Sequence, residues 1–229
     1  MSRQSGSNAP DVPADDGKDL KERERSIRSE LKEIKREQIV AAALDLFYRK
    51  GYHKTKIDDI AAALSVGKPH IYNYFRSKVE LLEVVASRGT DEVLRAVESA
   101  SHDRSDPETT LRRVAYAFTQ SALVNHKHAI IYFREYNSLP ADTRSDLREK
   151  RIKIDKTIQS IIEWGMESGH FESNVPYISS LSITGMMSYT FAWYRSKNTT
   201  PIDTICTEIS DNVIRMVKVG SLSLENNNV

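Results

Sequence analysis

Residues 55 to 78 read T-K-I-D-D-I-A-A-A-L-S-V-G-K-P-H-I-Y-N-Y-F-R-S-K. Ile57, Ile60, Ala61 and Leu64 recur at helical spacing and give a short helix one apolar face. Lys68, His70, Tyr72 and Asn73 follow on a second helix, too short to be stable alone in water. Such a helix, with polar groups turned outward, implies an external purpose. The DNA major groove is about as wide as a helix, so a few side chains at the start of the second helix can reach base edges while the first braces it across the backbone.

Working outward, Ile39, Val40, Ala43, Leu46 and Phe47 mark an amphipathic helix that stops at Gly51, a plausible left-handed cap. Thr55 followed by Asp58, and Ser77 followed by Glu80, read as capping boxes that open the next helices. N-terminal to this, residues 1–19 are rich in Ser, Asn, Pro, Asp and Gly and predict a disordered tail. Charges of both signs alternate from Leu20 to Arg36. This stretch reads as a solvated extension of the following helix, with an arm along the DNA backbone as the alternative.

Past Lys78 the helical period lengthens, with segments predicted from Val79 to Ser101, Pro107 to Asn125, His126 to Asn137 and Ala141 to Ser168. In the last of these, Leu147, Ile154, Ile158, Ile161, Ile162 and Gly165 mark the buried face, and Gly169 ends it. Asn174 and Pro176 open an apolar helix running to about Ser196. Thr200-Pro201-Ile202-Asp203 opens a final one that Gly220 terminates. The fold expected is all-α, with a three-helix head and a larger helical C-terminal part. The division expected is 1–30 as a disordered or charged extension, 31–92 as the head and 93–229 as the rest.

Composition bounds the function. The 229 residues carry 33 basic and 32 acidic side chains, a formal net charge of +1, so total charge does not decide for or against a nucleic-acid partner. The lone Cys206 excludes an intramolecular disulfide or a cysteine-built zinc site and suits a reducing compartment. No run reaches the roughly 18 apolar residues of a membrane span, and the N-terminus lacks an export signal, so a cytoplasmic chain without a membrane partner is expected. A Gly-rich phosphate loop, H-E-x-x-H, a nucleophile elbow and a cysteine cluster are all missing, which argues against an enzyme and against a metal or cofactor.

R-E-Q-I-V-A-A-A-L-D-L-F-Y-R-K-G-Y from Arg36 to Tyr52, T-K-I-D-D-I-A from Thr55, and V-G-K-P-H-I-Y-N-Y-F-R-S-K-V-E-L-L from Val66 together resemble the N-terminal DNA-binding domain of TetR-family transcriptional regulators. The turn position that carries Gly in that family is Ser65 here, which at positive φ would cost stability. The resemblance implies that Lys68, Pro69, His70, Tyr72, Asn73 and Tyr74 face a double-stranded DNA operator, with Thr55 and Lys78 on phosphates. Chemistry supports this in part. His70 and Asn73 can hydrogen-bond base edges, and Lys78 sits at a helix N-terminus that favours an anion. Ile71 and Phe75 read as core.

A short recognition helix needs a second copy, with half-sites roughly 34–36 Å apart, so a homodimer is expected. The resemblance places the dimer bundle on the last two helices. Ile205, Ile209, Val213, Met216 and Val217 form an apolar stripe there, which could face the partner or pack within the chain.

The same family holds a ligand cavity in between, and Tyr132, Tyr136, Trp164, Gly185, Met186, Met187, Tyr189 and Trp193 are the candidate lining. Most aromatics at helical spacing are plain core, and Met186 and Met187 beside Gly185 are the preferred pair because methionine adapts to irregular ligands. F-R-E-Y-N-S-L-P from Phe133, I-I-E-W-G-M-E-S-G-H-F from Ile161 and G-M-M-S-Y-T-F-A-W-Y from Gly185 resemble TetR regulators of lipid, sterol and aromatic-acid catabolism, some of which answer to acyl-CoA. That implies a small-molecule effector, acyl-CoA or a related lipid or aromatic catabolite, with Arg112, Arg113, Arg148 or Arg151 at the pocket mouth and an Arg134–Glu135 pair nearby. The expected function is a ligand-released repressor. An activator, or an architectural DNA-binding protein without an effector, is the alternative.

Overall fold

The computed structural model describes residues 16–173, 175–194 and 200–218, with side chains from residue 22 onward. Residues 1–15 of the expected tail, the cap Asn174, the helix end at Ser196 and the terminator Gly220 lie outside these residues, while residues 16–19, expected in the disordered tail, are the first turn of a helix. Among the described residues there is no strand, and the chain is all-α.

Helix α1 runs Asp16–Lys50, so the charged stretch from Leu20 to Arg36 is a solvated extension of the first helix of the head. It ends at Gly51, whose φ of +87° lies in the left-handed region that glycine enters without strain. Helices α2 (Ile57–Ala63), α3 (Lys68–Tyr72) and α4 (Lys78–Ser101) follow. Their apolar faces meet α1 in one core that includes Ile39, Val40, Phe47, Ile60, Ile71, Phe75, Leu81 and Val85. Ser77 caps α4 by accepting from the Glu80 N–H at 3.1 Å, while the Glu80 carboxylate accepts from the Arg76 N–H at 2.6 Å.

Helices α5 (Pro107–Val124), α6 (His126–Glu135), α7 (Ala141–Glu167), α8 (Pro176–Ser188), α9 (Thr190–Trp193) and α10 (Ile202–Lys218) complete the chain, with a 3₁₀ turn at Tyr136–Ser138. The buried face of α7 consists of Leu147, Ile154, Ile158, Ile161, Ile162 and Gly165, as its spacing predicts. Gly165 admits no side chain, because a Cβ there would lie 2.0 Å from the Phe171 ring that folds under the helix end. The apolar helix expected to run unbroken to about Ser196 instead turns at Tyr189 and restarts as the single turn of α9.

Helix α4 passes from one core to the other. Leu81, Leu82, Val85 and Ala86 belong to the head core, and Val93, Val97 and Ala100 belong to the second core formed with α5, α7, α8 and α10. The division expected after residue 92 therefore falls inside a continuous helix.

Candidate DNA interface and effector cavity

The turn between α2 and α3 places Ser65 at φ +55°, the only non-glycine with positive φ among the described residues. Val66 N–H closes the turn on the Ala61 carbonyl at 3.0 Å, and α3 starts after Gly67 with Pro69 in its first turn. Ile71 and Phe75 are buried and anchor α3 on α1, and the Arg36 guanidinium stands 5.0 Å from the Phe75 ring. The opposite face carries Lys68, Pro69, Tyr72 and Asn73, all exposed, with Tyr72 at 47%. His70 is half-buried and its ring lies 5.3 Å from that of Tyr74, which packs against the head core. Lys68 reaches Asp58 at 3.3 Å, a surface pair that fixes little.

Two residues expected on phosphates do other work. Thr55 is 0% exposed: its hydroxyl donates to the Gly51 carbonyl at 2.8 Å and satisfies the end of α1. The residue that opens α2 is Lys56, whose N–H donates to the Asp59 carboxylate at 2.7 Å. Lys78 donates to the Tyr52 and Thr55 carbonyls, both at 3.0 Å, and lies 4.3 Å from the Tyr52 ring centre. Its ammonium is a clamp between α4 and the loop after α1, and only one of its three N–H donors is left over. Lys54, Lys56 and Arg76, exposed on the segments that enter α2 and leave α3, are the cations that sequence reading passed over.

The second site is an inner cavity of about 80 Å³ lined by α4, α5, α6, α7 and α8. Its wall is largely apolar, with Ala86, Val93, Phe118, Ala122 and Ile154, and Gly89 admits the close crossing of α6, since a Cβ there would stand 3.1 Å from that of His128. Arg151 and Thr184 supply polar groups, and the Arg151 guanidinium donates to the Tyr132 hydroxyl at 3.4 Å. Phe133 lines both this cavity and an open groove of about 520 Å³ bounded by Tyr48, Ile130, Arg134 and Phe191. Its ring stacks on Phe191 at 4.6 Å, between the two spaces.

Helix α6 joins the cavity to the head. Tyr132 lines the cavity and is also part of the head core. Lys127 pairs with Asp45 at 3.6 Å and stands over the Tyr48 ring, and Glu135 pairs with His53 at 3.4 Å. His128 is buried, with Nδ1–H donating to the Val85 carbonyl of α4 at 2.8 Å, which fixes the tautomer. Burial pulls its pKa below the usual imidazole value. Also on α4, Arg88 holds Glu37 of α1 by two bonds of 2.6 Å, and that hydrogen bonding lowers the Glu37 pKa.

Residues 39–85 match the family described as "Bacterial regulatory proteins, tetR family", and residues 104–217 match "Tetracyclin repressor-like, C-terminal domain". Together these cover more than two thirds of the sequence. The chain belongs to the TetR family. It is a helix-turn-helix transcriptional regulator with a ligand-binding C-terminal domain, and TetR-family regulators bind operator DNA as dimers. It is 36% identical over 84 residues to the transcriptional activator FasR of Mycolicibacterium smegmatis, a match covering 37% of this chain and 38% of FasR. A TetR-family regulator from Rhodococcus RHA1 superimposes with a TM-score of 0.74 at 25% identity, over 80% of this chain and 97% of that one. The structure of AibR in complex with isovaleryl coenzyme A and operator DNA has the same fold, with a TM-score of 0.66 at 22% identity over 80% of this chain and 97% of AibR.

Within this TetR regulator the expected lining residues are mostly elsewhere. Only Tyr132 lines the cavity. Met187 is fully buried in the second core and Met186 packs against it, while Gly185 faces open space. Tyr189 and Trp193 are exposed on the outside of α8 and α9, and Tyr136 is exposed beneath the Arg144 guanidinium. Trp164 stands under Arg104 near the end of α7. Of the four arginines expected at the mouth, Arg151 alone lines the cavity; Arg112 bonds Asp211 of α10, and Arg113 bonds the Ala100 carbonyl. Arg134 is exposed, and Glu135 takes His53 in its place.

The stripe on α10 is largely covered within one chain. Ile205, Val213 and Val217 are buried and Ile209 half-buried within a single chain, packed with residues of α5, so only Met216 of the five is exposed. Sequence amphipathicity shows that a face is covered without showing by what.

Proposed function

We propose that the chain is a one-component repressor: a homodimer binds a palindromic operator, and a small molecule entering the inner cavity releases it. In this reading 31–92 act as the reader head, 93–229 as the effector and dimerisation part, and residues 1–30 as a charged extension, all in the cytoplasm with the operator. Pro69, His70, Tyr72 and Asn73 contact bases, and Tyr74 fixes the His70 ring. Lys54, Lys56, Lys68 and Arg76 neutralise phosphates in place of Thr55 and Lys78.

The observation that carries the sensing role is that Tyr132 is shared by the cavity wall and the head core. At about 80 Å³ the cavity is below the roughly 300–1,000 Å³ of pockets that enclose a small molecule, so an effector binds only a widened form. Widening displaces α6 against α4 and thus changes the tilt of the head. The effector's differential affinity for the two forms sets the size of the response. An acyl-CoA suits this geometry, with its acyl end inside, Phe133 and Phe191 parted, and its large polar end in the groove beside Arg134. The isovaleryl coenzyme A held by AibR supports that class.

The similarity of the head to the activator FasR favours a second reading, in which the bound dimer promotes transcription. Reporter expression in a deletion strain separates the two, rising for a repressor and falling for an activator. Footprinting tests the site: one symmetric sequence is protected, salt weakens the protection, and His70→Ala with Asn73→Ala abolishes the preference for it, each lost base contact costing about 1–3 kcal/mol. Unchanged selectivity in that double variant sinks the assignment. Protection that no acyl-CoA, free acid or aromatic acid relieves removes the effector.

A further inference from the structure

Helix α1 carries a second apolar face. Its inner face, with Ile39, Val40, Ala43 and Phe47, is buried in the head core, and Arg36 on the same side stands over the Phe75 ring. Ile27, Leu31 and Ile34 are each more than half exposed. They stand nine residues before Arg36, Val40 and Ala43, about two and a half helical turns, and so point away from the head. Exposed Gln38 and Ala41 continue the line. The steps alternate four and three residues, which is the spacing of a coiled-coil seam. Charge is ordered on its flanks, with Glu30 and Glu37 along one side and Arg28 and Lys35 along the other. Glu37 is taken by Arg88 of the same chain. Glu30 accepts from the Ser26 hydroxyl of its own helix at 3.3 Å, and neither Glu30 nor Lys35 forms an ion pair among the described residues.

Resting on the homodimer proposed above, we propose that this stripe is covered by the same stripe of the second copy, the two α1 extensions lying parallel and in register. Glu30 then faces the partner's Lys35, and two-fold symmetry makes that pair twice. Reversing one helix would set acidic flank against acidic flank and cation against cation, so the charges select the parallel arrangement. The same register brings Arg23 opposite Arg28, so the attraction belongs to the half of the stripe nearer the head. An arm laid on DNA would line its contact face with cations and not with three branched aliphatics. Three such residues per chain are too few to hold free chains together. The pairing therefore operates within a dimer already formed elsewhere, where linkage raises the effective concentration, and it ties one reader head directly to the other.

Cys206 is buried, so a cysteine added to α1 is the reactive thiol. Ile27→Cys and Ile34→Cys, made separately in the full-length chain and oxidised in dilute solution, should each give a covalent dimer on non-reducing gels. Both should form it at least about tenfold faster than Ser29→Cys on the opposite side of the helix. Glu30→Lys, made in the Ile34→Cys chain, should slow the reaction, and Lys35→Glu added to it should restore the rate. Light scattering on each sample shows whether the chain is a dimer. A dimer in which the three cysteines couple alike overturns the pairing and leaves the homodimer standing. A rate that Glu30→Lys leaves unchanged overturns the parallel register. Thiols that stay uncoupled and are shielded from a maleimide by added duplex DNA give the stripe to DNA and overturn the pairing as well. A monomer removes the homodimer and this inference with it.

Discussion

Ser65 shows how one backbone angle is set against the rest of the head. A φ of +55° costs an L-residue roughly 1–2 kcal/mol, and the turn keeps that angle because Ile60, Ala61 and Ile71 on either side are held in the core. Ser65→Gly should raise the unfolding free energy by up to about 1 kcal/mol, the strain relieved less the added freedom of glycine in the unfolded chain. Chemical denaturation checks this, and a destabilised variant would mean that the Ser65 side chain contributes more than its conformation costs. The angle was expected only through the family resemblance, which carries Gly where Ser65 stands. Thr55 and Lys78 were not legible. A polar side chain beside a helix N-terminus has the same pattern whether it points to a phosphate or folds back on a carbonyl. Only the position of the Tyr52–Thr55 loop, brought under α4 by the head core, decides that both fold back.

Helices α4 and α6 are the elements through which the cavity and head act on each other, and His128 is their buried polar contact. Its folded pKa lies below the unfolded value of 6.5, chiefly through desolvation, with the nearby Arg88 pushing the same way and the Val85 carbonyl, Glu92 and Glu37 opposing. The unfolded chain therefore takes up a proton first as pH falls. The stability from neutral His128 is complete above about pH 6.5 and is lost as pH falls toward and through its folded pKa. Thermal unfolding from pH 7.5 to 5 should show a drop in Tm beginning near pH 6.5 that His128→Gln largely removes. Glu37, whose pKa is held below the usual range by its hydrogen bonds from Arg88, titrates below this interval. A Tm profile identical in the variant contradicts the assignment.

For the whole molecule, the unanswered surface is the outer face of α8 and α9. Val175, Tyr177, Ile178, Leu181, Tyr189 and Trp193 are exposed there, with Tyr189 at 64% and Trp193 at 45%, while the inner face of α8 packs Ile183 and Met187 into the core. A helix apolar on both sides needs a second cover. We assign this face, in place of the α10 stripe, to the homodimer. Light scattering should give about twice the 26.0 kDa of one chain, and Leu181→Glu should give the monomer with operator binding lost and helical content retained. A dimer that tolerates Leu181→Glu places the interface elsewhere.

The Ser77 cap of α4, the two left-handed glycines at Gly51 and Gly169, the buried faces of α2 and α7 and the family were fixed by local order in the chain, whereas the start of α1 and the break at Tyr189 were not. Period, caps and turn residues act between neighbours three or four positions apart, and those distances are written in the sequence. The neighbour that each apolar face meets was settled only by tertiary packing. Ile205 and Val213 could have met a partner chain but are buried with α5, and Met186 and Met187 could have lined a pocket but fill a core. Amphipathicity sets how much of a helix must be covered, whereas the crossing of α4, α5, α6, α7 and α8 sets what covers it and what space is left between them.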